Sequence, residues 1–244
     1  MLHGICGVRV LLLLTPLFLF ANKNHVYCDN QVGFTIEQLC DEHNTLDHVF
    51  FCPEDGHLVE QTIIQLINQS SAVYGALYVL NRKSIIDTLI QAHKNGVPVE
   101  LVFDQGALNA GSNHIFNLPF NGVPLYIYGA QQVKRFRPLM HHKFLIFKNA
   151  LQGKDVIAYG SMNITQSGLF KNKENFTFRD KPDLVEKYEK EFSTIKRNSQ
   201  VFKLMKKKKQ KVEKKRLQQQ PTIPGFIEKQ LKNGTLKRYV QFVK

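Results

Sequence analysis

Strand-like runs separated by helical ones, recurring through the first half of the chain, limit what this sequence can fold into. "HVFFCPEDG" reads as a short buried strand ending in a Pro and Gly turn, and "HLVEQTIIQLINQS" comes next with Leu58, Ile63, Ile64 and Ile67 at helical spacing. "AVYGALYVL" is rich in β-branched and aromatic residues. "NRKSIIDTLIQAHKNG" then reads as a helix closed by Gly96, and "VPVELVFD" as another buried strand. The alternation predicts an α/β fold, a mixed and mostly parallel sheet with helices on both faces.

Residues 105–121 carry Gly, Asn and Ser with few periodic apolar positions and read as a loop. "VPLYIYG", "FLIF", "VIAYG" and "NFTFR" supply a fourth to a seventh strand, and "DLVEKYEKEFSTIKR" a last amphipathic helix. No internal repeat is visible. The domain is expected to span 22–198.

Charge sets the C-terminal segment apart. Residues 201–244 hold 14 of the 33 Lys and Arg but only Glu213 and Glu228 of the 20 acids, so this segment carries +12 of the chain's +13. Residues 199–244 therefore read as a Lys-rich tail, helical or disordered, whose last part has enough apolar residues to dock. Such a field suits a polyanion, nucleic acid or an anionic membrane, although a merely solvated charged segment has the same composition.

At the other end, Val10 to Ala21 is an apolar stretch behind His3 and Arg9, interrupted by Pro16. Its length falls short of a bilayer span and Ala21 offers a small residue for cleavage, so residues 1–21 read as an export signal, the product being periplasmic or secreted. Few Arg and Ser argue against a mitochondrial address. Removal would leave Cys28, Cys40 and Cys52, enough for one disulfide with one thiol over. Cys28 and Cys40 with His43 and His48 lack the tight pair of a structural zinc site.

The stretch "HHKFLIFKNALQGKDVIAYGSMN" concentrates the candidate chemistry. Strand alternation sends His141 and Lys143 to one face and His142 and Phe144 to the other. If 143–147 and 156–160 pair as an antiparallel hairpin, Ser161 and Asn163 come opposite Lys143 and His141. Such a set suits a phosphodiester: Lys supplies charge, Ser and Asn supply neutral donors to non-bridging oxygens, and a neutral imidazole can attack phosphorus. The plainer account is that surface His and Lys flank a hairpin and Asn163 caps the next helix. His-x-Lys alone favours that account; Gly-Ser-x-Asn at the other end of the hairpin reverses the preference.

With these residues, the chain resembles the phospholipase D superfamily, whose signature is His-x-Lys, four residues, Asp, then Gly-Ser and Asn. It is most similar to the small single-motif members, secreted endonucleases and the mitochondrial cardiolipin-hydrolase and piRNA-nuclease group. The match takes in His141, Lys143, Gly160, Ser161 and Asn163, with Glu174 where the family carries a downstream acid, and it extends over about residues 48–195. By that resemblance His141 is the nucleophile, Lys143, Ser161 and Asn163 bind phosphate, and Glu174 orients a histidine. One motif and no repeat imply a homodimer whose partner supplies a second His141 as general acid. The resemblance implies neither metal nor other cofactor.

The sequence departs from the signature at Lys148, which stands where Asp is expected. Asp155, at the far end of the hairpin, cannot reach His141, so the missing Asp is read as a structural tether and activity is expected to survive. Of the other polar residues, Asp104 ends a strand as a sheet-edge site would, or caps the next turn; His114 lies in a loop that could cover the site; Tyr126 and Tyr128 read as core. The expected function is phosphodiester hydrolysis, foremost of nucleic acid. The alternatives are phospholipase action on anionic lipids, or a degenerate relative that only binds nucleic acid or lipid.

Overall fold

The computed structural model describes residues 33–109, 113–130, 138–205 and 239–243. The expected export signal, Cys28 and most of the Lys-rich segment lie outside the described residues. Among the described residues no helix is long and apolar enough to cross a membrane.

Strand β1 (Asp47–Cys52) leads into α1 (Gly56–Gln69), β2 (Ala72–Leu77), α2 (Lys83–Lys94) and β3 (Val99–Asp104). Gly96, at φ +89, takes the left-handed conformation that lets the chain turn away from α2. After it come α3 (Asn117–Phe120), β4 (Leu125–Tyr128), β5 (Lys143–Leu151), β6 (Lys154–Gly160), α4 (Gln166–Phe170), β7 (Glu174–Arg179) and α5 (Pro182–Arg197). Two strands complete the order, β8 (Ser199–Met205) and β9 (Tyr239–Val243). They form one sheet in the order β1-β7-β6-β5-β2-β3-β4-β8-β9.

The sheet is mixed, as expected, but it is not mostly parallel. Only β2 with β3 and β3 with β4 run parallel; β1–β7, β7–β6, β6–β5, β5–β2, β4–β8 and β8–β9 are antiparallel. Crossover helices force parallel pairing only between strands that become neighbours, and β1, although followed by α1, pairs with β7 at the far edge. The loop expected over 105–121 is instead two 3₁₀ turns and α3, because Leu108, Ile115, Phe116 and Leu118 are buried.

Two cores lie on the two faces. Val59, Ile63 and Ile67 of α1 and Ile86 and Leu89 of α2 pack with Leu101, Phe103, Leu145 and Phe147. On the other face Val185, Phe192 and Ile195 of α5 pack with Val102, Phe144, Ile146 and Ile157, and Tyr126 and Tyr128 are half-buried at the margin of that smaller core. Of the pairings left open among Cys28, Cys40 and Cys52, Cys40 with Cys52 is not formed, since both are free thiols. Burial pushes the Cys52 thiol up to about 11.

The domain does not stop at residue 198. Tyr126 pairs with Val201, and Phe202, 4% exposed, packs 5.7 Å from the ring of Phe116. The apolar residues of β8, Val201, Phe202, Leu204 and Met205, run directly into the Lys-rich segment, whose charge sets the average there. Strand β9 adds to the outer side of β8, so part of the chain's end is sheet. Replacing Phe202 by Ala is expected to destabilise the domain by about 3–5 kcal/mol in urea unfolding; an unchanged midpoint would separate β8 from the core.

Candidate active site

Strand β5 is entered from a fixed point. Asp104, fully buried at the end of β3, accepts hydrogen bonds from the Gly106 amide (2.7 Å) and the Met140 amide (3.0 Å). Its Oδ1 thus closes the turn after β3, while its Oδ2 holds the backbone immediately before His141. Tyr78, just past β2, adds a second hold: its amide donates to the His142 carbonyl at 2.8 Å.

The pleat separates the two histidines. His142 turns toward α5, with Nε2 3.3 Å from Glu191 and its ring 5.6 Å from Phe144. His141 lies against Tyr78, ring centroids 4.5 Å apart. Lys143 is 7% exposed, and its Nζ lies 2.9 Å from Nδ1 and 3.2 Å from Nε2 of His141 while donating to the His141 carbonyl at 2.7 Å. The same ammonium is 5.4 Å from the Tyr78 ring centroid. Burial, and then the Lys143 charge, hold the His141 imidazole below its ordinary value, with Asp104 pulling the other way and His142 adding to the decrease. Burial also lowers Lys143, against the pull of Glu174.

The hairpin pairs 143–147 with 156–160 as expected, but that register does not bring Ser161 opposite Lys143. Phe144 pairs with Tyr159 and Phe147 with Val156, so Lys143 comes level with Gly160 rather than Ser161, and the strand ends there. Gly160 is dictated by its neighbour: a Cβ at this position would stand 2.2 Å from the Asn175 carbonyl oxygen of β7. Beyond it, Ser161 Oγ donates to Glu174 at 2.5 Å and accepts from the Asn175 amide at 3.1 Å. The other Glu174 oxygen accepts from Asn172 at 3.3 Å. Glu174 therefore orients Ser161 here, and its described hydrogen bonds reach no histidine of the same chain.

Asn163 is not the cap of the next helix. Thr165 is, its side chain accepting from the Gly168 amide at 2.9 Å. Asn163 Oδ1 is buried without a protein hydrogen-bond partner. Its segment is held by Ile164, whose carbonyl accepts from the Asn81 and Arg82 amides, and Arg82 grips Glu60 through two bonds of 2.6 and 2.9 Å.

His141, Lys143 and Ser161 open on one shallow depression of about 380 Å³, which Asn163 and Glu174 do not line. Lys148 is at the other end of β5, where it pairs with Asp155 and, at 2.5 Å, with Glu189 of α5. His114 is exposed on a 3₁₀ turn packed against α2 and α3. Among the described residues no cluster of His, Cys, Asp and Glu could hold a metal. Sequence reading missed Tyr78, which carries no motif. It weighed Asp104 for a turn cap, which Oδ1 indeed provides, but not for the hold on Met140, which requires knowing that β3 and β5 end together.

A family model described as "Cardiolipin synthase, PLD-like domain" matches residues 63–196, a span that contains everything from His141 to Glu174. The chain belongs to the phospholipase D-like family. Members of that superfamily include phosphodiesterases. The mitochondrial cardiolipin hydrolase of Danio rerio is 25% identical over 165 residues, 65% of this chain and 68% of that protein. Its namesake in Xenopus laevis is 24% identical over 143 residues, 59% of this chain and 63% of that protein, less than two thirds of it. Two solved structures share the fold. A phospholipase D family member, Nuc from Salmonella typhimurium, superposes with a TM-score of 0.53 at 23% identity, over 64% of this chain and 97% of that one. NucT from Helicobacter pylori gives 0.55 at 16%, over 64% and 98%.

The contacts around His141 make its titration a test of this geometry. Asp104→Asn removes a negative charge and is expected to lower the His141 pKa further, whereas Tyr78→Ala rehydrates the ring and raises it, both followed by NMR of the imidazole. Gly160→Ala should destabilise the fold by about 1–3 kcal/mol in urea unfolding, through overpacking against β7.

Proposed function

We propose that the chain hydrolyses phosphodiester bonds through a phosphohistidine intermediate on His141, with nucleic acid as the substrate. The observation that carries this reading is the imidazole of His141, set against the Tyr78 ring and 2.9 Å from the Lys143 ammonium, contacts that with partial desolvation favour its neutral form. A neutral ring nitrogen offers its electron pair to phosphorus, and Lys143 compensates the charge that gathers on the non-bridging oxygens. The N–P bond forms as the P–O bond to the leaving group breaks, and the leaving oxygen takes a proton from a second imidazole. Water then attacks phosphorus, returns a proton to that imidazole and releases His141. Ser161, held by Glu174, serves as a further phosphate contact, and in the same proposal Asn163 would contribute through its Nδ2 amide donor.

The second imidazole is best supplied by His141 of a second copy in a homodimer, since His142 is turned toward Glu191. A net +12 over residues 201–244 favours a polyanionic substrate, and nucleic acid is gripped through backbone phosphates without sequence preference. Residues 1–21 act as an export signal in the same proposal. The second reading, cleavage of anionic phospholipid, is favoured by one observation, the naming of both curated relatives as cardiolipin hydrolases.

Turnover of DNA, RNA and cardiolipin vesicles by the purified protein, beside His141→Ala, tests the proposal. Cleavage of nucleic acid should fall by at least about a thousandfold in the variant, as expected for loss of a nucleophile. Label from a ³²P-substrate should remain on the wild-type chain as an acid-labile, base-stable adduct. Equal cleavage by both proteins would sink the mechanism. Activity is expected to persist in EDTA, and its acidic limb to lie below the ordinary histidine value of about 6.5, since the depressed imidazole must be neutral to attack. Lys148→Met should keep most of the activity, because Lys148 is bonded to Asp155 and Glu189 and not to the reactive end.

A further inference from the structure

The depression beside His141 has one chemically distinct wall. The α5 face of the hairpin's open end presents His142 just before β5, Phe144 from β5 and Tyr159 from β6, and Tyr188 of α5 leans over them. The rings form a connected series: His142 to Phe144 5.6 Å, Phe144 to Tyr188 4.9 Å, Tyr188 to Tyr159 5.3 Å. Phe144 is the buried floor, Tyr159 and Tyr188 are half-buried, and His142 is exposed. The series begins one residue from His141 and ends one residue from Gly160, so it runs along the same concavity that Lys143 and Ser161 edge.

Packing of α5 explains why aromatic rings are here, but not why they border an open space. Val185, Phe192 and Ile195 already fasten that helix to the sheet. No Leu, Ile, Val or Met lines the depression among the described residues, so an acyl chain would find no aliphatic wall. Flat π faces with polar edges instead match a planar heterocycle, which stacks on aromatic side chains whatever its identity. The volume, about 380 Å³, is at the lower end of the range of small-ligand sites.

We propose that this aromatic wall is a subsite for a nucleobase next to the scissile phosphate, with Tyr159 and Tyr188 as its platform and His142 at its open edge. The proposal rests on the nuclease reading and narrows it to strands whose bases are free to leave the stack: single-stranded nucleic acid is the preferred substrate, and base identity matters little. The Glu191 carboxylate lies 3.3 Å from His142 Nε2 at that edge.

The test uses the full-length protein and two matched short single-stranded oligonucleotides, one of them carrying an abasic tetrahydrofuran unit next to the cleaved phosphate. The readout is the ratio of kcat/KM between them. The wild type should prefer the base-bearing strand by about 5- to 100-fold, the range that stacking on an aromatic side chain supplies. Tyr188→Leu and Tyr159→Leu should each pull that ratio toward one, chiefly through KM, and Tyr188→Phe should keep it. Should Tyr188→Leu fail to fold, the exposed His142→Ala carries the same comparison with a smaller drop. A wild-type ratio near one, or a ratio preserved in every Leu variant, overturns the subsite while leaving the nuclease reading in place. Absence of wild-type cleavage of either oligonucleotide, with turnover of cardiolipin vesicles, overturns both.

Discussion

Strand β5 is buried on both faces, and the rest of the structure depends on its register. Leu145 and Phe147 go to the larger core and Phe144 and Ile146 to the smaller, so a slip of one residue would exchange every one of them. Both cores lock the strand at once, and with it the direction of each side chain at its reactive end. His141 is thereby sent to Tyr78 and Lys143, and His142 to α5 and Glu191. Positioning the candidate nucleophile is in this sense a by-product of hydrophobic packing some residues away.

The polar groups that meet there come from segments with no contact along the chain. Asp104 ends β3, Tyr78 comes just after β2, Ser161 and Asn163 just after β6, and Glu174 begins β7. Each is restrained by a bond that the fold supplies: Asp104 to the Met140 amide, Ser161 to the Asn175 amide, and the Asn163 segment to Asn81 and Arg82 through Ile164. Arg82 is itself anchored on Glu60, so the loop after β6 inherits its rigidity from helix α1. Preorganisation of this kind lets a site act on charge as it develops without rearranging first.

Lys148 shows how a signature residue can be exchanged while a connection is kept. Where the family pattern has an acid, this chain has a cation, and the acids stand across the hairpin at Asp155 and on α5 at Glu189. The two ion pairs join β5, β6 and α5. They are partly exposed, so each contributes modestly, and their value lies in geometry more than in energy. Asp155 also accepts from the Asn149 amide at 2.8 Å, which supports the left-handed Asn149 where the hairpin pairing slips before its turn.

Much of this was legible in the sequence, because it arises from local periodicity. Helices α1, α2 and α5, seven of the strands and the facing of His141 and Lys143 away from His142 are all consequences of spacing along one segment. Strand β8 escaped because its short apolar run, Val201, Phe202, Leu204 and Met205, is interrupted by Lys203 and merges into the lysines after Met205, and the sheet's mostly antiparallel character escaped because partner choice is not a local property. That Gly160 admits no side chain was likewise not legible, since it depends on the close approach of the Asn175 carbonyl on β7. By itself the sequence determined which residues could do chemistry and on which face of a strand they lie, since side-chain alternation is built into the backbone. Only the tertiary structure decided that Thr165 and not Asn163 caps α4, that Tyr78 packs on His141 and Asp104 holds the backbone before it, and that an aromatic wall adjoins it. Those contacts join segments far apart in sequence, and the packing of two cores brings them together.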